Sequence, residues 1–513
     1  MNTIDKQFSD SANTIIDVKL APNHPHHRLS FYKTYEIVEE FISLKNITLA
    51  VFVNDQLRKQ FPDALKPKSL LCKINFIQEN FNAVLSLSKD ILDLDPCNKE
   101  ALLFMAHSLR ALSKADQALP LLEKLVSMCS SDITYVELGR CYSDIGQGQS
   151  ALAAFNQAIK LNPDITGAYI GRADIPGITV DAVELQHMQK LATDERISVE
   201  NRARMHFSIA PLLASQGHYQ LEFDHLDQAN RLMQEKFPYS IEQEKKITKE
   251  IIEKFTGTLL KQLNPIKEQS IRPIFIVGMP RSGSTLIEQI LGAHSSVSSC
   301  GESNAIARAI YNTALQRPLW QLSARELNNN IVLIDQQHRE LLTKQNINTS
   351  IFTDKSLDNY SLMGLILAMY PQAKIIHCLR HPLDVVLSCY RHFFTLASFT
   401  YSLENIAERY KLHLSLMDHW TTLRPDNILR IELPHLVNNQ RAATERLLEF
   451  CDLPWNDSCI DYYKSNRNVK TASNHQVRQP LMKSRLELWR PYAEFLKPAA
   501  DILNIDITTG EVY

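Results

Sequence analysis

Residues 273–285 read Pro-Ile-Phe-Ile-Val-Gly-Met-Pro-Arg-Ser-Gly-Ser-Thr, and an apolar helical run begins at Leu286. This pattern predicts a buried strand, a tight loop and the N-terminus of a helix. Gly278 and Gly283 keep the glycine spacing of a Walker A loop, but Ser284 stands where that loop has its lysine. Backbone N–H groups at a helix N-terminus still favour an anion, so we expect the loop to bind a phosphate or a similarly shaped group.

Strands and helices alternate after residue 271. Residues 374–379 and 428–431 are short apolar runs that predict further strands. The alternation is typical of an α/β domain with a mostly parallel sheet, in which ligands bind at the carboxyl ends of the strands. Arg380 follows one predicted strand and Ser388 lies two helical turns further on, so this pair could hold a second phosphate.

Residues 70–235 show helical periodicity throughout. One stretch has the residue pattern expected of a tetratricopeptide repeat (TPR), namely Tyr135, Leu138, Gly139, Tyr142, Ala151, Phe155, Ala158 and Pro163. Residues 205–213 and 219–232 predict a divergent terminal repeat. Stacked repeats form an α-helical solenoid with a concave surface, which could be a scaffold or a groove for a peptide or protein partner.

The flanking segments are less patterned. Residues 1–69 form an N-terminal segment that we expect to be helical, although His24, His26 and His27 lie among prolines and indicate a solvated loop. Residues 236–270 predict a linking helix that ends near Pro265. The multidomain organisation predicted is therefore 1–69, 70–235, 236–270 and 271–513.

The bulk composition excludes several classes. The chain of 513 residues carries 55 Lys and Arg against 57 Asp and Glu, which argues against a nucleic-acid binder with a dominant basic surface. We find no secretory signal and no membrane-spanning apolar stretch in the sequence. Nine scattered cysteines without a CxxC pair are typical of reduced thiols. These features predict a cytoplasmic protein without nucleic-acid or membrane partners, and they leave the oligomeric state open.

Several motifs in order carry a family resemblance. The loop Pro-Arg-Ser-Gly-Ser-Thr, the Arg380-to-Ser388 spacing and the late stretch 471–480 together resemble sulfotransferases that use 3′-phosphoadenosine-5′-phosphosulfate as donor. The chain resembles TPR-containing bacterial sulfotransferases, and its catalytic half is similar to the tyrosylprotein sulfotransferases. The resemblance covers residues 271–503, and the repeats in front match the bacterial form.

The resemblance implies a role for each matching residue. A 5′-phosphosulfate cradle would be formed by Pro280, Arg281, Ser282, Gly283, Ser284 and Thr285. The 3′-phosphate would be held by Arg380 and Ser388, with Ser473 as a further nucleotide contact. Arg281 and Lys355 would stabilise the transferring group without a metal, and Glu302 matches the catalytic glutamate in a Cys-Gly-Glu context. Three histidines remain rival bases, namely His294, His377 and His381.

Two positions depart from the tyrosylprotein pattern. Leu488 stands where relatives have a lysine just before the tryptophan, and Arg485 or Arg490 could supply that charge. Ile431 stands where many relatives have a tyrosine before glutamate, which removes an expected aromatic contact.

The resulting hypothesis is a sulfotransferase that moves a sulfuryl group to a hydroxyl acceptor, with the TPR region recruiting the acceptor or a partner. The acceptor could be a protein tyrosine, a glycan or a small metabolite. A P-loop kinase or NTPase is a weaker alternative because Ser284 replaces the Walker lysine. A TPR adaptor with weak catalysis is the other alternative, which Leu488 and Ile431 keep open.

Overall fold

The computed structural model describes residues 14–512 except 113, 176, 268, 269, 316, 346, 348, 396, 465–480 and 482–485. The chain divides into two compact units, with the division between Thr179 and Val180. Among the described residues, no helix is both long enough and apolar enough to cross a membrane.

The first unit begins with an antiparallel hairpin of β1 (Ile15–Lys19) and β2 (His26–Ser30). This hairpin differs from the helical expectation for residues 1–69. Ile16 and Val18 are buried and alternate with less buried neighbours, which is the period of a strand. Nine described helices follow: α1 (Phe31–Ser43), α2 (Ile47–Gln60), α3 (Leu65–Ile77), α4 (Phe81–Leu94), α5 (Lys99–Ala111), α6 (Ala115–Met128), α7 (Asp132–Asp144), α8 (Gly148–Leu161) and α9 (Thr166–Ala173).

Small residues let the helices of this unit approach one another closely. Phe155 of α8 is fully buried, and its ring fills the space beside Gly139 of α7 and Gly171 of α9. A Cβ atom at Gly139 would lie 2.7 Å from that ring. Ala151 and Ala158, one turn to either side of Phe155, are also fully buried. The predicted TPR-like packing of antiparallel helices is confirmed.

The second unit begins with five helices: α10 (Ala182–Thr193), α11 (Val199–Ser215), α12 (Tyr219–Lys236), α13 (Ile241–Lys254) and α14 (Gly257–Gln262). Phe223 of α12 stacks on Tyr390 and Phe495, with ring centroids 5.6 and 4.6 Å apart. The α11–α12 hairpin therefore packs within the same unit as the sheet described next. The sequence boundaries at residues 235 and 270 stay predictions.

A five-stranded parallel sheet forms the centre of this unit, in the order β4–β5–β3–β6–β7. Its strands are β3 (Arg272–Gly278), β4 (Val297–Ser299), β5 (Ile351–Asp354), β6 (Lys374–Leu379) and β7 (Ile428–Glu432). The described helices between and after them are α15 (Ser284–Gly292), α16 (Ala305–Asn312), α17 (Ala324–Lys344), α18 (Met363–Met369), α19 (Pro382–Tyr390), α20 (Leu403–Leu423), α21 (Leu433–Asn438), α22 (Gln440–Phe450) and α23 (Lys497–Leu503). The predicted α/β fold with a parallel sheet is confirmed.

Both faces of the sheet are covered, which explains why β3 is apolar throughout. Phe275 and Val277 enter the core that contains Trp420 of α20. Ile274 and Ile276 enter a second core on the opposite face. A strand buried on both sides cannot alternate between apolar and polar residues.

The chain leaves β3 toward β4 on one side and later adds β6 on the other side. Such a reversal opens a crevice at the carboxyl ends of the strands. The carboxyl end of β3 is flanked by those of β5 and β6. This topology brings the segments 279–283, 355–356 and 380–381 to one edge of the sheet.

Candidate active site

The loop between β3 and α15 depends on two glycines. A Cβ atom at Gly278 would lie 2.7 Å from Ser282 Oγ and 2.8 Å from the carbonyl oxygen of Cys378. Gly283 caps α15 with a φ of +97°, a value that favours glycine. Its Cα faces Leu433, whose Cδ1 would lie 3.0 Å from an added Cβ. The loop can therefore be this tight only with glycine at both positions.

Hydroxyl groups line the inner side of the loop. Ser282 is 2% exposed, and its Oγ has no hydrogen-bond partner among the described residues. Ser284 and Thr285, the first residues of α15, are also buried. A buried hydroxyl without a partner is costly unless a ligand satisfies it. Together with the N-terminus of α15, this arrangement fits an anion of phosphate size.

Two arginines and a serine form a cluster between the loop and α19. Arg281, with a φ of +68°, directs its Nε to Ser388 Oγ at 2.9 Å. Arg380 Nη1 donates to the carbonyl oxygen of Arg281 at 3.4 Å. The thiol of Cys389 donates to the carbonyl oxygen of Pro280 at 3.5 Å, which ties the loop to α19 a second time. The side chain of Arg281 thus lies with Arg380 and Ser388.

Asp384 anchors the late part of the chain to this cluster. Its buried carboxylate lies 3.3 Å from Arg380 Nη2 and accepts the backbone N–H groups of Glu487 and Trp489 at 3.0 and 3.1 Å. Leu488 lies between them with an exposed side chain. Arg490 pairs with Glu487 at 2.9 Å, so it is engaged outside the arginine cluster.

A second cluster lies at the ends of β4 and β5. Lys355 Nζ is 2.5 Å from Glu302 Oε1. The lysine side chain is 1% exposed, whereas the glutamate side chain is 50% exposed. The backbone N–H of Lys355 also donates to the carbonyl oxygen of Gly301 at 2.9 Å, extending the β4–β5 pairing. A buried cation therefore holds a carboxylate that solvent or an acceptor can reach.

Glu288 is a residue of this cluster that the sequence interpretation missed. It lies on α15 and is 3% exposed. Its Oε1 accepts the Ser299 hydroxyl at 3.0 Å and the Gly301 N–H at 2.9 Å. Burial raises the pKa of the Glu288 carboxyl, while the charge of Lys355 opposes that rise. The available signal was a charged residue in a helix whose other residues are all uncharged.

Asp354 supports the same turn from β5. Its Oδ2 accepts the Ser303 hydroxyl at 3.0 Å, and its Oδ1 accepts the Ser356 N–H at 2.8 Å. Ser356 Oγ in turn accepts the Asn304 N–H at 2.8 Å. Asp354 is fully buried, and burial raises its pKa. The turn that carries Glu302 is thus fixed from two sides.

The three rival histidines are engaged elsewhere. His294 accepts a backbone N–H at Nδ1 and faces a carbonyl oxygen at Nε2, both at 3.1 Å. His377 is fully buried with Nε2 at 2.9 Å from His413 Nε2, and burial lowers its pKa to about 3. His381 stacks on Trp489 and faces a carbonyl oxygen at 3.0 Å. Each of these rings therefore has a contact of its own, away from the pair of Lys355 and Glu302.

Ser473 and Arg485, for which the sequence predicts a nucleotide contact and a positive charge, lie outside the described residues, as does the rest of 471–480. The proposed nucleotide contact of Ser473 stays a prediction. Ile431 is 6% exposed and packs in the core below β7. Its side chain therefore serves packing.

Comparisons with known proteins agree with the two-part organisation. Residues 273–457 match the profile described as the sulfotransferase family, and residues 134–165 match a tetratricopeptide repeat. Two solved TPR proteins resemble the chain weakly. The thermophilic TPR protein TTC0263 of Thermus thermophilus has 15% identity and a TM-score of 0.30, covering 35% of this chain and 98% of that protein. YrrB, a TPR protein with an unusual peptide-binding site, has 12% identity and a TM-score of 0.25, covering 45% and 92%.

Curated relatives match by sequence. An uncharacterized protein of Aquifex aeolicus (strain VF5) is 32% identical over 380 residues, which cover 72% of this chain and 50% of that protein. Protein-tyrosine sulfotransferase A of Caenorhabditis elegans is 25% identical over 236 residues, covering 42% and 60%. Protein-tyrosine sulfotransferase 1 of Danio rerio is 27% identical over 236 residues, covering 42% and 65%. The matched region spans between half and two thirds of each of these relatives. The chain thus joins a segment that matches a tetratricopeptide repeat to a domain that matches the sulfotransferase family model.

Proposed function

We propose that the protein transfers a sulfuryl group from 3′-phosphoadenosine-5′-phosphosulfate to a hydroxyl acceptor, with Glu302 as the base. The observation that carries this proposal is the pairing of the half-exposed Glu302 carboxylate with the buried Lys355. Lys355 follows β5, the strand next to β3, and β3 leads into the loop of residues 279–283. A P-loop kinase or NTPase would need a lysine where this chain has Ser284.

The donor would be bound at both ends. Residues 280–285 would hold its 5′-phosphosulfate, because the loop has a buried hydroxyl to donate and no room for side chains at its glycines. Arg380 and Ser388 would hold its 3′-phosphate. The donor supplies the electrophilic sulfuryl group. Arg281 lies against Ser388, so its charge would serve the 3′-phosphate side as well as the loop.

The second cluster, at the ends of β4 and β5, would deprotonate the acceptor. Glu302 would accept the proton of the acceptor hydroxyl, for which its exposure is required. Lys355 supplies a positive charge from a buried position, where an electrostatic interaction is stronger than in water. Glu288 and Asp354 do not touch the reacting groups and act as positioning residues for the Glu302 turn.

The first experiment separates binding from transfer. Calorimetry with adenosine 3′,5′-bisphosphate is expected to show one site, and Glu302→Gln is expected to retain it while losing at least about 10²-fold in transfer of labelled sulfate. Asp358→Asn is the matched control, since this carboxylate lies near Lys355 in the chain and is 80% exposed. If the wild-type protein ignores the nucleotide, the proposal fails. Nucleotide binding without transfer to any acceptor would favour the adaptor alternative.

The acceptor that we propose is a tyrosine of a protein or peptide, recruited through the TPR region. Support comes from the curated relatives named protein-tyrosine sulfotransferases and from the repeat match at residues 134–165. Parallel incubation with tyrosine peptides, glycans and phenolic metabolites tests this assignment. If label appears only in the glycan or metabolite pool, the acceptor belongs to that class and the tyrosine assignment is wrong.

A further inference from the structure

An open cavity of about 840 Å³ lies in the sulfotransferase unit, apart from the residues assigned to the donor. Its apolar wall is formed by Ile310, Tyr311, Leu315, Leu319, Trp320 and Leu362. The volume is in the range of ligand-binding cavities. Tyr311 is 85% exposed, so a large aromatic surface is left uncovered at its mouth.

Two chain segments connect this cavity to the catalytic pair. Helix α16 begins three residues after Glu302 and has eight residues, so it ends about 12 Å further on. The 3-10 segment Leu357–Leu362 begins two residues after Lys355 and spans about 12 Å. The hydrogen bond from Asn304 N to Ser356 Oγ joins the two segments at their beginnings. Both segments therefore start at the catalytic pair and end in the cavity wall.

The chemistry of the wall favours an apolar occupant. The indole N–H of Trp320 donates to Glu250 at 2.8 Å, so its polar atom is already satisfied. Arg317, the charged residue of the lining, pairs with Glu326 at 2.6 Å. Hydroxyl groups of a sugar would find few partners here, whereas an aliphatic or aromatic side chain would be removed from water.

We propose that this cavity binds an apolar side chain of the acceptor, a few residues from the hydroxyl that Glu302 deprotonates. Each segment of about 12 Å begins two or three residues from the catalytic pair, so the cavity wall lies at most about 22 Å from the pair, a span that an extended chain covers in roughly seven residues. The acceptor is therefore a peptide segment with a bulky apolar neighbour. This inference rests on the proposed function and names the substrate class of the same site.

The test uses the full chain and two sets of tyrosine peptides. The peptides are identical except for Leu or Ser at positions up to seven residues before or after the tyrosine. At one of these positions the Leu peptide is expected to have a kcat/KM about tenfold or more above the Ser peptide, because burial of a leucine side chain contributes that much binding. The difference is expected in KM, since the cavity lies away from the reacting atoms.

Variants of the cavity mouth connect the selectivity to the structure. Tyr311→Ala is expected to fold normally because the side chain is exposed, and to reduce the Leu-to-Ser ratio by at least about threefold. Leu362→Asn should reduce the ratio further. Affinity for adenosine 3′,5′-bisphosphate should not change in either variant. Val332→Ala on α17, with a side chain that is 59% exposed, is the matched control and should keep the wild-type ratio.

Equal rates for the Leu and Ser peptides at every position would overturn the inference while leaving transfer itself intact. An unchanged Leu-to-Ser ratio in both cavity variants would also overturn the inference, as would transfer to glycans alone. A loss of self-association in Tyr311→Ala, without a change in selectivity, would assign the cavity to a second copy of the chain and also reject the inference. Absence of nucleotide binding, in contrast, defeats the proposed function.

Discussion

Replacement of Glu288 by alanine tests whether Glu288 positions the turn that carries Glu302, the proposed base. The variant loses the acceptor for the Gly301 N–H and for the Ser299 hydroxyl. Two unsatisfied donors in a partly buried turn are expected to cost about 2 to 4 kcal/mol in the free energy of unfolding. The turn also carries Glu302, and a misplacement of about 1 Å costs on the order of 10²-fold in rate.

Glu288→Gln is the matched comparison. Its amide oxygen can still accept both hydrogen bonds, so the turn should keep its position while the charge is lost. We expect Glu288→Gln to retain transfer within about tenfold of the wild type, with Glu288→Ala at least ten times slower than Glu288→Gln. Both should bind adenosine 3′,5′-bisphosphate, because the hydrogen bonds that Glu288 accepts from Ser299 and Gly301 lie outside residues 280–285.

The pH dependence of stability has a defined sign. Burial raises the pKa of Glu288 in the folded state, so the folded protein binds a proton more readily than the unfolded chain. The carboxyl therefore costs stability as the pH rises from the ordinary glutamate pKa toward the raised one. Glu288→Gln removes that cost, so its stability relative to the wild type should improve as the pH rises above the ordinary glutamate pKa in urea titrations.

Two results would refute this reasoning. Equal transfer rates for the alanine and glutamine variants would mean that the accepted hydrogen bonds do not position Glu302. A relative stability of Glu288→Gln that falls as the pH rises would mean that the carboxylate is stabilised by its surroundings, with Lys355 outweighing burial.

Three further outcomes follow from the contacts. Gly278→Ala should abolish nucleotide binding because its Cβ would lie 2.8 Å from a carbonyl oxygen, whereas Gly148→Ala, whose Cβ would meet its nearest atom at an ordinary 3.9 Å, should bind normally in calorimetry. Asp384→Ala should weaken adenosine 3′,5′-bisphosphate binding about tenfold or more by freeing Arg380 and the late chain, and an unchanged Kd would contradict the assigned role. Glu222→Ala should cost about 1 to 3 kcal/mol in chemical denaturation, since it removes a buried carboxylate that pairs with the partly exposed Arg391 guanidinium at 2.7 Å and accepts the Tyr492 hydroxyl at 2.6 Å, and a two-state curve at wild-type stability would exclude this.

The sequence predicted the parts of the fold that carry long or strongly biased patterns. β3 is a run of apolar residues followed by glycines, and Arg380 follows another such run, so both strand ends could be located. β4 has three residues and β5 has four, which is too short for a periodic signal. The β1–β2 hairpin was missed because its alternation involves only Ile16 and Val18.

The sequence did not show where the side chains of the site point; the tertiary structure was needed for that. Lys355 and Glu302 are 53 residues apart, and only the β4–β5 pairing brings them together. Arg281 could not be oriented from its loop, and the structure directs it to Ser388. Glu288 was not singled out, because nothing in the sequence shows which face of α15 the 299–301 turn would cover.

The packing of α12 has a consequence for how such proteins can be recombined. Tyr390 donates to Asp227 at 2.7 Å, Tyr492 donates to Glu222 at 2.6 Å, and Asn230 donates to the Tyr390 carbonyl oxygen at 2.9 Å. A fragment that begins at residue 271 would lack Glu222, Asp227 and Asn230. Tyr390, at the end of the helix that carries Ser388, would then lose two hydrogen-bond partners. If the N-terminal unit is exchanged for another domain, by gene fusion or in the laboratory, the junction should therefore lie near residue 180, which leaves the α11–α12 hairpin with the parallel sheet.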